Sequence, residues 1–80
     1  MTIRPGNIVK CVATVTITNG DRHPEILTQG KNYEVLWAGR DVLSRWIRVK
    51  NNFGTIQEFT KNKFVLVLDE DGLPKRWKNE

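Results

Sequence analysis

Residues 27–67 constrain the fold most strongly, because four short β-strand patterns follow one another there, separated by a loop and two turns. Apolar residues recur at every second position over 33–37 and 47–49, which is typical of strands with one buried face. Residues 55–59 and 64–68 give two shorter strand patterns. Ile56 and Phe59 break clean alternation in the first of these, so we expect a bulge or an early end there.

A further alternation lies nearer the N-terminus and is the clearest in the chain. It predicts one long strand whose inward face carries Val9, Cys11, Ala13, Val15 and Ile17. Asn19-Gly20 follows directly and predicts a hairpin with a type I′ turn. Pro24 cannot donate to a strand ladder, so the return arm over 21–28 should be an edge or irregular.

These patterns predict an all-β fold, a small barrel of about five antiparallel strands formed by residues 1–68. A chain of 80 residues has room for one small core and not for two. The segment 69–80 is charged and contains Gly72 and Pro74, so we expect a mobile C-terminal tail. Trp77 in this tail either docks back on the domain, serves a partner, or does neither.

The positive charge belongs to the predicted domain rather than to the tail. Residues 1–68 hold ten Lys and Arg against five Asp and Glu, a net charge of +5, whereas residues 69–80 hold three against four, a net charge of −1. A basic domain attracts nucleic acid, an anionic surface or an acidic protein, and the same charge also serves plain solubility.

Several functional classes are not expected from this composition. Cys11 is the single cysteine, which excludes an internal disulfide and suits a reducing cytoplasm. The N-terminus lacks the apolar core of a signal peptide, and no apolar run approaches a membrane span, so we expect a cytoplasmic protein. No nucleotide-binding, metalloprotease or redox motif is present. We therefore expect no enzyme activity, no catalytic residue, no metal, no cofactor and no small-molecule substrate.

The strand over 45–50 carries the most function-like group of side chains. If Ile47 and Val49 point inward, then Trp46, Arg48 and Lys50 stand together on the outside. The alternative is that Trp46 covers the barrel edge while the two cations only solvate apolar surface. The loop over 38–45 adds two apolar residues, which either tuck under the barrel rim or extend a contact patch, namely Val42 and Leu43.

Three segments resemble the SH3-like barrel family. LTQGKNYEVL at 27–36 is similar to its diverging turn and second strand, WIRV at 46–49 to its central strand, and FTKNKFV at 59–65 to its 3₁₀ turn and closing strand. The sequence of these segments resembles that of small stand-alone SH3-like proteins of bacteria and bacteriophages still more closely. The resemblance implies that the hairpin at 19–20 is the RT loop, that 38–45 is the n-Src loop, and that the protein is a binding module.

Binding of proline-rich peptides is not expected, because the first strand lacks the stacked aromatic residues that grip such ligands. Two other binding functions remain. The first, which we favour, is docking of a small phage- or mobile-element-type protein on a host protein through Arg45, Trp46, Arg48, Lys50, Val42 and Leu43. The alternative is nucleic-acid binding, with Trp46 as a stacking platform. The phosphate contacts would then come from Arg45, Arg48, Lys50, Lys61 and Lys63.

Overall fold

The computed structural model describes residues 2–39 and 45–77. Within these residues the chain forms seven β-strands and one short 3₁₀ turn, Lys61–Lys63. The strands are β1 (Ile8–Cys11), β2 (Val15–Thr16), β3 (Glu25–Leu27), β4 (Asn32–Ala38), β5 (Trp46–Lys50), β6 (Ile56–Thr60) and β7 (Phe64–Leu66).

Five of these strands form one antiparallel sheet in the order β6-β5-β4-β1-β7, and β2 and β3 form a separate hairpin. The central strand β4 pairs with β1 on one side and with β5 on the other. The last strand, β7, returns to pair with the first, β1. The described chain is therefore all-β, as the sequence predicts: a small barrel built on a five-stranded antiparallel sheet, with a two-stranded hairpin inserted between β1 and β4.

The core confirms most of the predicted inward residues. Tyr33, Val35, Ile47 and Val49 are buried where the alternation of β4 and β5 places them. The whole core cluster consists of Val9, Cys11, Leu27, Tyr33, Val35, Ala38, Ile47, Val49, Phe59 and Phe64. The Phe64 ring meets the rings of Tyr33 and Phe59 edge-on, with centroids 6.3 and 6.1 Å apart, an arrangement that aromatic pairs prefer.

The first strand is shorter than the alternation over 9–17 predicts. Val9 and Cys11 are buried and Val15 is half-buried, but Ala13 and Ile17 are exposed. The chain bends directly after Cys11, whose thiol donates to the Ala13 carbonyl over 3.0 Å. After the bend, β2 pairs only with β3, through a register shift, so side-chain alternation no longer refers to the barrel interior.

The hairpin after β2 turns one residue later than predicted. Asn19 and Arg22 exchange both backbone hydrogen bonds, at 2.9 and 3.1 Å, so Gly20 and Asp21 are the central residues. Of these two central residues, only Gly20 has a positive φ, 64°. A positive φ at the first central position alone is typical of a type II′ turn rather than the predicted type I′. The bulged pairing of β2 with β3 agrees with the irregular arm expected from Pro24.

The β5–β6 hairpin is regular, and the bulge predicted near Ile56 is absent from it. Five consecutive pairs join the strands without a register shift, from Trp46↔Thr60 to Lys50↔Ile56. Phe59 points inward, whereas Ile56 points outward and is 60% exposed. The spacing of these two residues therefore reflects an apolar residue on the surface and not a break in the strand.

Asn52, in the turn between β5 and β6, connects the inserted hairpin to the sheet. Its carbonyl oxygen accepts from the Tyr33 hydroxyl at 2.8 Å and from Lys31 Nζ at 3.0 Å. Its amide nitrogen donates to the Glu25 carbonyl and to Thr28 Oγ1, both at 3.0 Å. One side chain thus bonds to the inserted hairpin, to the turn before β4 and to β4 itself.

The predicted tail turns over residues 69–73, and residues 75–77 then run back along residues 6–8 at the start of β1. Ile8 N–H donates to the Lys75 carbonyl at 3.0 Å, and Trp77 N–H donates to the Gly6 carbonyl at 2.8 Å. Gly6 has φ 89°, and a Cβ there would lie 2.8 Å from Arg76 Nη2, so glycine suits this close approach. Trp77 therefore docks back on the domain through its backbone. Residues 78–80 of the predicted tail lie outside the described part of the chain.

Candidate interaction surface

The alternation of β5 divides its side chains between the core and the surface as predicted. Ile47 and Val49 have no exposed area, whereas Trp46, Arg48 and Lys50 are exposed. β5 pairs on both sides, with β4 and β6, so its orientation is fixed by two ladders. An aromatic ring and two cations therefore stand side by side on the outside of the barrel, and Trp46 is 47% exposed.

A bulge in β4 adds a second tryptophan to this surface. Val35 lies opposite Val49, but Trp37 lies opposite Arg48, so β4 contains one residue more than β5 between these pairs. The extra residue is Leu36, and it moves Trp37 from the inward face to the outer face. Trp37 is 40% exposed as a result. The alternation over 33–37 puts Trp37 in step with Tyr33 and Val35, and the bulge separates it from them. The apolar run over 36–38, which breaks alternation, is the only local signal of the bulge.

Arg48 is held between its cross-strand neighbours. Its guanidinium carbon lies 4.9 Å from the centre of the Trp37 ring, within the range of a cation–π contact. Its Nε lies 3.5 Å from Glu58 Oε1 on β6. Both side chains of this ion pair are about half exposed, so it adds little to stability. Its effect is to orient the guanidinium, and it brings into the candidate surface Glu58, which the sequence alone did not indicate.

We call this surface the Trp46 face, defined by Trp37, Trp46, Arg48, Lys50, Ile56, Glu58 and Thr60 on β4, β5 and β6. It combines three well-exposed apolar side chains with charges of both signs. Exposed aromatic and aliphatic groups that lie together, rather than singly, mark interaction sites on proteins. The Trp46 face therefore has the composition of a docking surface.

Three further predicted site residues, Arg45, Lys61 and Lys63, lie at one end of the Trp46 face. Lys61 N–H donates to the Arg45 carbonyl over 2.7 Å, which brings the 3₁₀ turn next to the start of β5. Lys63 lies in the same turn. The backbone thus places Arg45 next to Trp46 and Lys61 next to Thr60, with Lys63 two residues farther along the chain. The predicted residues Val42 and Leu43 lie outside the described residues.

The third tryptophan lies on the same side of the sheet. Trp77 lines a groove of about 270 Å³ together with Glu34 and Lys50. The three tryptophans of the chain are each 40–47% exposed. A second groove, of about 940 Å³, lies beside Trp37 and is flanked by Arg4 and Arg76. Each of these two grooves is therefore lined by one tryptophan and by at least two cationic side chains.

Over 2–39 and 45–77, no three His, Cys, Asp or Glu side chains come together in a way that would hold a metal ion. No helix in this part of the chain has the length and apolarity needed to cross a membrane.

Comparison of the chain with protein-family models, with curated proteins and with solved structures gives no match.

Proposed function

We propose that this protein is a non-enzymatic binding module that docks on another protein through the Trp46 face. The observation that carries the proposal is the arrangement of Trp37, Trp46 and Arg48. Two exposed tryptophans flank an arginine that is already oriented by a ring 4.9 Å away and by Glu58 at 3.5 Å. Tryptophan and arginine are the residue types that most often dominate binding energy at protein interfaces. Orientation before binding reduces the entropy lost on association.

The mixed character of the face favours a protein partner over a polyanion. Glu58 lies at its centre, opposite Arg48, and Glu34 lies next to Lys50 near Trp77. Ile56 adds aliphatic surface that is 60% exposed. A phosphate backbone gains nothing from an aliphatic patch or a carboxylate, whereas protein interfaces combine apolar cores with charges of both signs.

The resemblance to small SH3-like proteins of bacteria and bacteriophages supports a host protein as the partner. The lone cysteine, which is buried, suits the reducing cytoplasm in which such a partner would be met. The proposal therefore names a cytoplasmic protein–protein contact and assigns no chemistry to the module itself.

The test is a pull-down from nuclease-treated bacterial lysate, followed by affinity measurement with the protein that is retained. Trp46→Ala should keep the fold, because this ring lies outside the core, yet weaken binding by at least about thirtyfold, the loss expected at a hot spot. Leu73→Ala is the matched control, because Leu73 is 58% exposed but lies in the C-terminal turn. Equal binding by wild type and Trp46→Ala would contradict the proposal.

Nucleic-acid binding is the second candidate, and one observation favours it. Three half-exposed tryptophans lie on one side of the barrel, near Lys50 and near the cations Arg45, Lys61 and Lys63. Aromatic rings beside cations are the arrangement that binds single strands. If this candidate holds, an oligothymidine should quench tryptophan fluorescence. With about five phosphate contacts, its affinity should fall by about two to three decades between 50 and 200 mM salt. Binding to a protein does not depend on phosphate contacts, so a protein partner should be retained through nuclease treatment and a salt wash.

A further inference from the structure

β6 is an edge strand whose outer backbone groups face away from the sheet. Lys61 N–H donates to Arg45, and Asn51 N–H donates to Thr55, so the hydrogen-bonded pairs with β5 use the odd-numbered residues of β6. Backbone groups alternate in direction along a strand. The N–H groups of Ile56, Glu58 and Thr60 therefore point away from β5. Among the described residues, no backbone carbonyl accepts from these three N–H groups.

The side chains of β6 show that the described residues leave this edge uncovered. Ile56, Gln57 and Glu58 are consecutive and all exposed, although their side chains alternate between the two faces of the strand. Phe59 is the only buried residue of β6, so this exposure belongs to the first three residues of the strand. An open edge with unpaired donors and acceptors is a template for another strand.

The surroundings of the edge specify what kind of strand fits. Across the sheet, the outward rows run Trp46–Thr60, Arg48–Glu58 and Lys50–Ile56. An added strand would extend each row by one residue. Next to Ile56 an apolar side chain fits best, and next to Glu58 a carboxylate is excluded, because like charges directly opposite are destabilising. Beyond Thr60 lie Lys61 and Lys63, which complement carboxylates.

We propose that the partner contributes an extended segment that adds to β6 as an antiparallel strand, with acidic residues at its N-terminal end and an apolar residue four to five positions later. This inference rests on the proposed function and identifies the kind of partner that the Trp46 face receives. Antiparallel pairing puts the N-terminal end of the segment next to Lys61 and Lys63. The segment's outward side chains then lie directly beside the Trp46 face.

A second copy of this chain fits the edge less well. Pairing of two β6 strands about Glu58 would place two carboxylates directly opposite each other, and both copies carry the same net positive charge of +4. A partner segment with carboxylates satisfies the edge and the cations together.

A proline at position 60 would remove the unpaired Thr60 N–H without bending the strand. The Thr60 φ of −72° and ψ of 143° already match proline, and the Thr60 N–H points away from β5. Thr60→Pro should therefore keep the barrel while deleting one donor of the edge. The matched control is Thr60→Val, which also loses the hydroxyl that donates to Asn62 Oδ1 over 2.6 Å but keeps the N–H.

The probe is a short blocked peptide, acetyl-EETVTVVS-amide, with acetyl-KKTVTVVS-amide as its charge-reversed control. Binding is followed by NMR through the amide signals of Ile56, Glu58 and Thr60. We expect the acidic peptide to bind at least about tenfold more tightly than the basic one. Thr60→Pro should bind the acidic peptide about fivefold or more weakly than Thr60→Val, which is the effect of one backbone hydrogen bond. The peptide should also slow hydrogen exchange at the Ile56 and Glu58 amides of the wild type, which tests the edge even if Thr60→Pro does not fold.

Several results would overturn the inference. These are equal affinity of Thr60→Pro and Thr60→Val, equal affinity for the two peptides, no binding of the acidic peptide at millimolar concentration, or self-association that protects the same amides. None of these results contradicts the proposed function, because the Trp46→Ala comparison tests that function with the protein retained in the pull-down. Conversely, retained partner binding by Trp46→Ala would contradict the proposed function even if the peptide adds to β6.

Discussion

Replacement of Val49 by aspartate is expected to unfold the barrel. Val49 has no exposed area, lies in the middle of β5, and faces Val35 across the ladder with β4. The buried polar residues of the described core are asparagines, so a carboxylate there finds no cation. Burial of an unpaired charge costs several kcal/mol, and a domain of this size has a total stability of roughly 4–12 kcal/mol. Circular dichroism of the purified variant should show loss of the native spectrum.

Lys50→Asp is the matched control for this prediction. The two residues are adjacent on β5, and the same side chain is introduced, but Lys50 points outward and is exposed. We expect its free energy of unfolding, measured in urea, to change by less than about 1 kcal/mol. Similar stability of the two variants would contradict the division of β5 into an inner and an outer face.

The second large effect is expected from Asn52→Ala, which should lower the free energy of unfolding by about 2–3 kcal/mol without changing the fold. The Asn52 side chain makes four hydrogen bonds, and each contributes about 0.5–1.5 kcal/mol. Their loss also leaves the Tyr33 hydroxyl without its acceptor. Urea denaturation measures the change. Asn62→Ala is the control, because the only side-chain partner of Asn62 among the described residues is Thr60 at the surface.

A double-mutant cycle separates this role of Asn52 from a general effect of the turn. Tyr33→Phe removes the hydroxyl that donates to Asn52 at 2.8 Å and accepts from Thr28 N–H at 2.7 Å. Both single changes remove the same bond, so the double variant should lose about 1 kcal/mol less than the sum of the two single losses. Strictly additive losses would show that the two side chains act independently.

The sequence predicts the fold best where a strand is paired on both sides. Tyr33, Val35, Ile47 and Val49 lie in β4 and β5, and two neighbouring ladders fix the orientation of each strand. Alternation then translates directly into burial. Over 9–17 the same alternation fails after Cys11, because the chain leaves the five-stranded sheet there. A regular pattern of residue types does not reveal which strand, if any, pairs with each part of it.

The candidate surface was only partly visible in the sequence, for a similar reason. Trp46, Arg48 and Lys50 follow from the alternation of one strand. Trp37 reaches the same surface through an extra residue in β4, which is defined only by the register with β5. Glu58 likewise becomes a neighbour of Arg48 through pairing. Contacts between strands depend on how the strands are paired in register. The residues of a single strand do not determine that register.

The position of Cys11 has a practical consequence. It is the only thiol in the chain, it is 1% exposed, and it lies on the strand that joins β4 to β7. A small alkylating reagent reaches its sulfur only while these strands are apart. The rate at which such a reagent modifies the native protein therefore reports the opening of β1 from β4 and β7. The measurement needs no engineered cysteine.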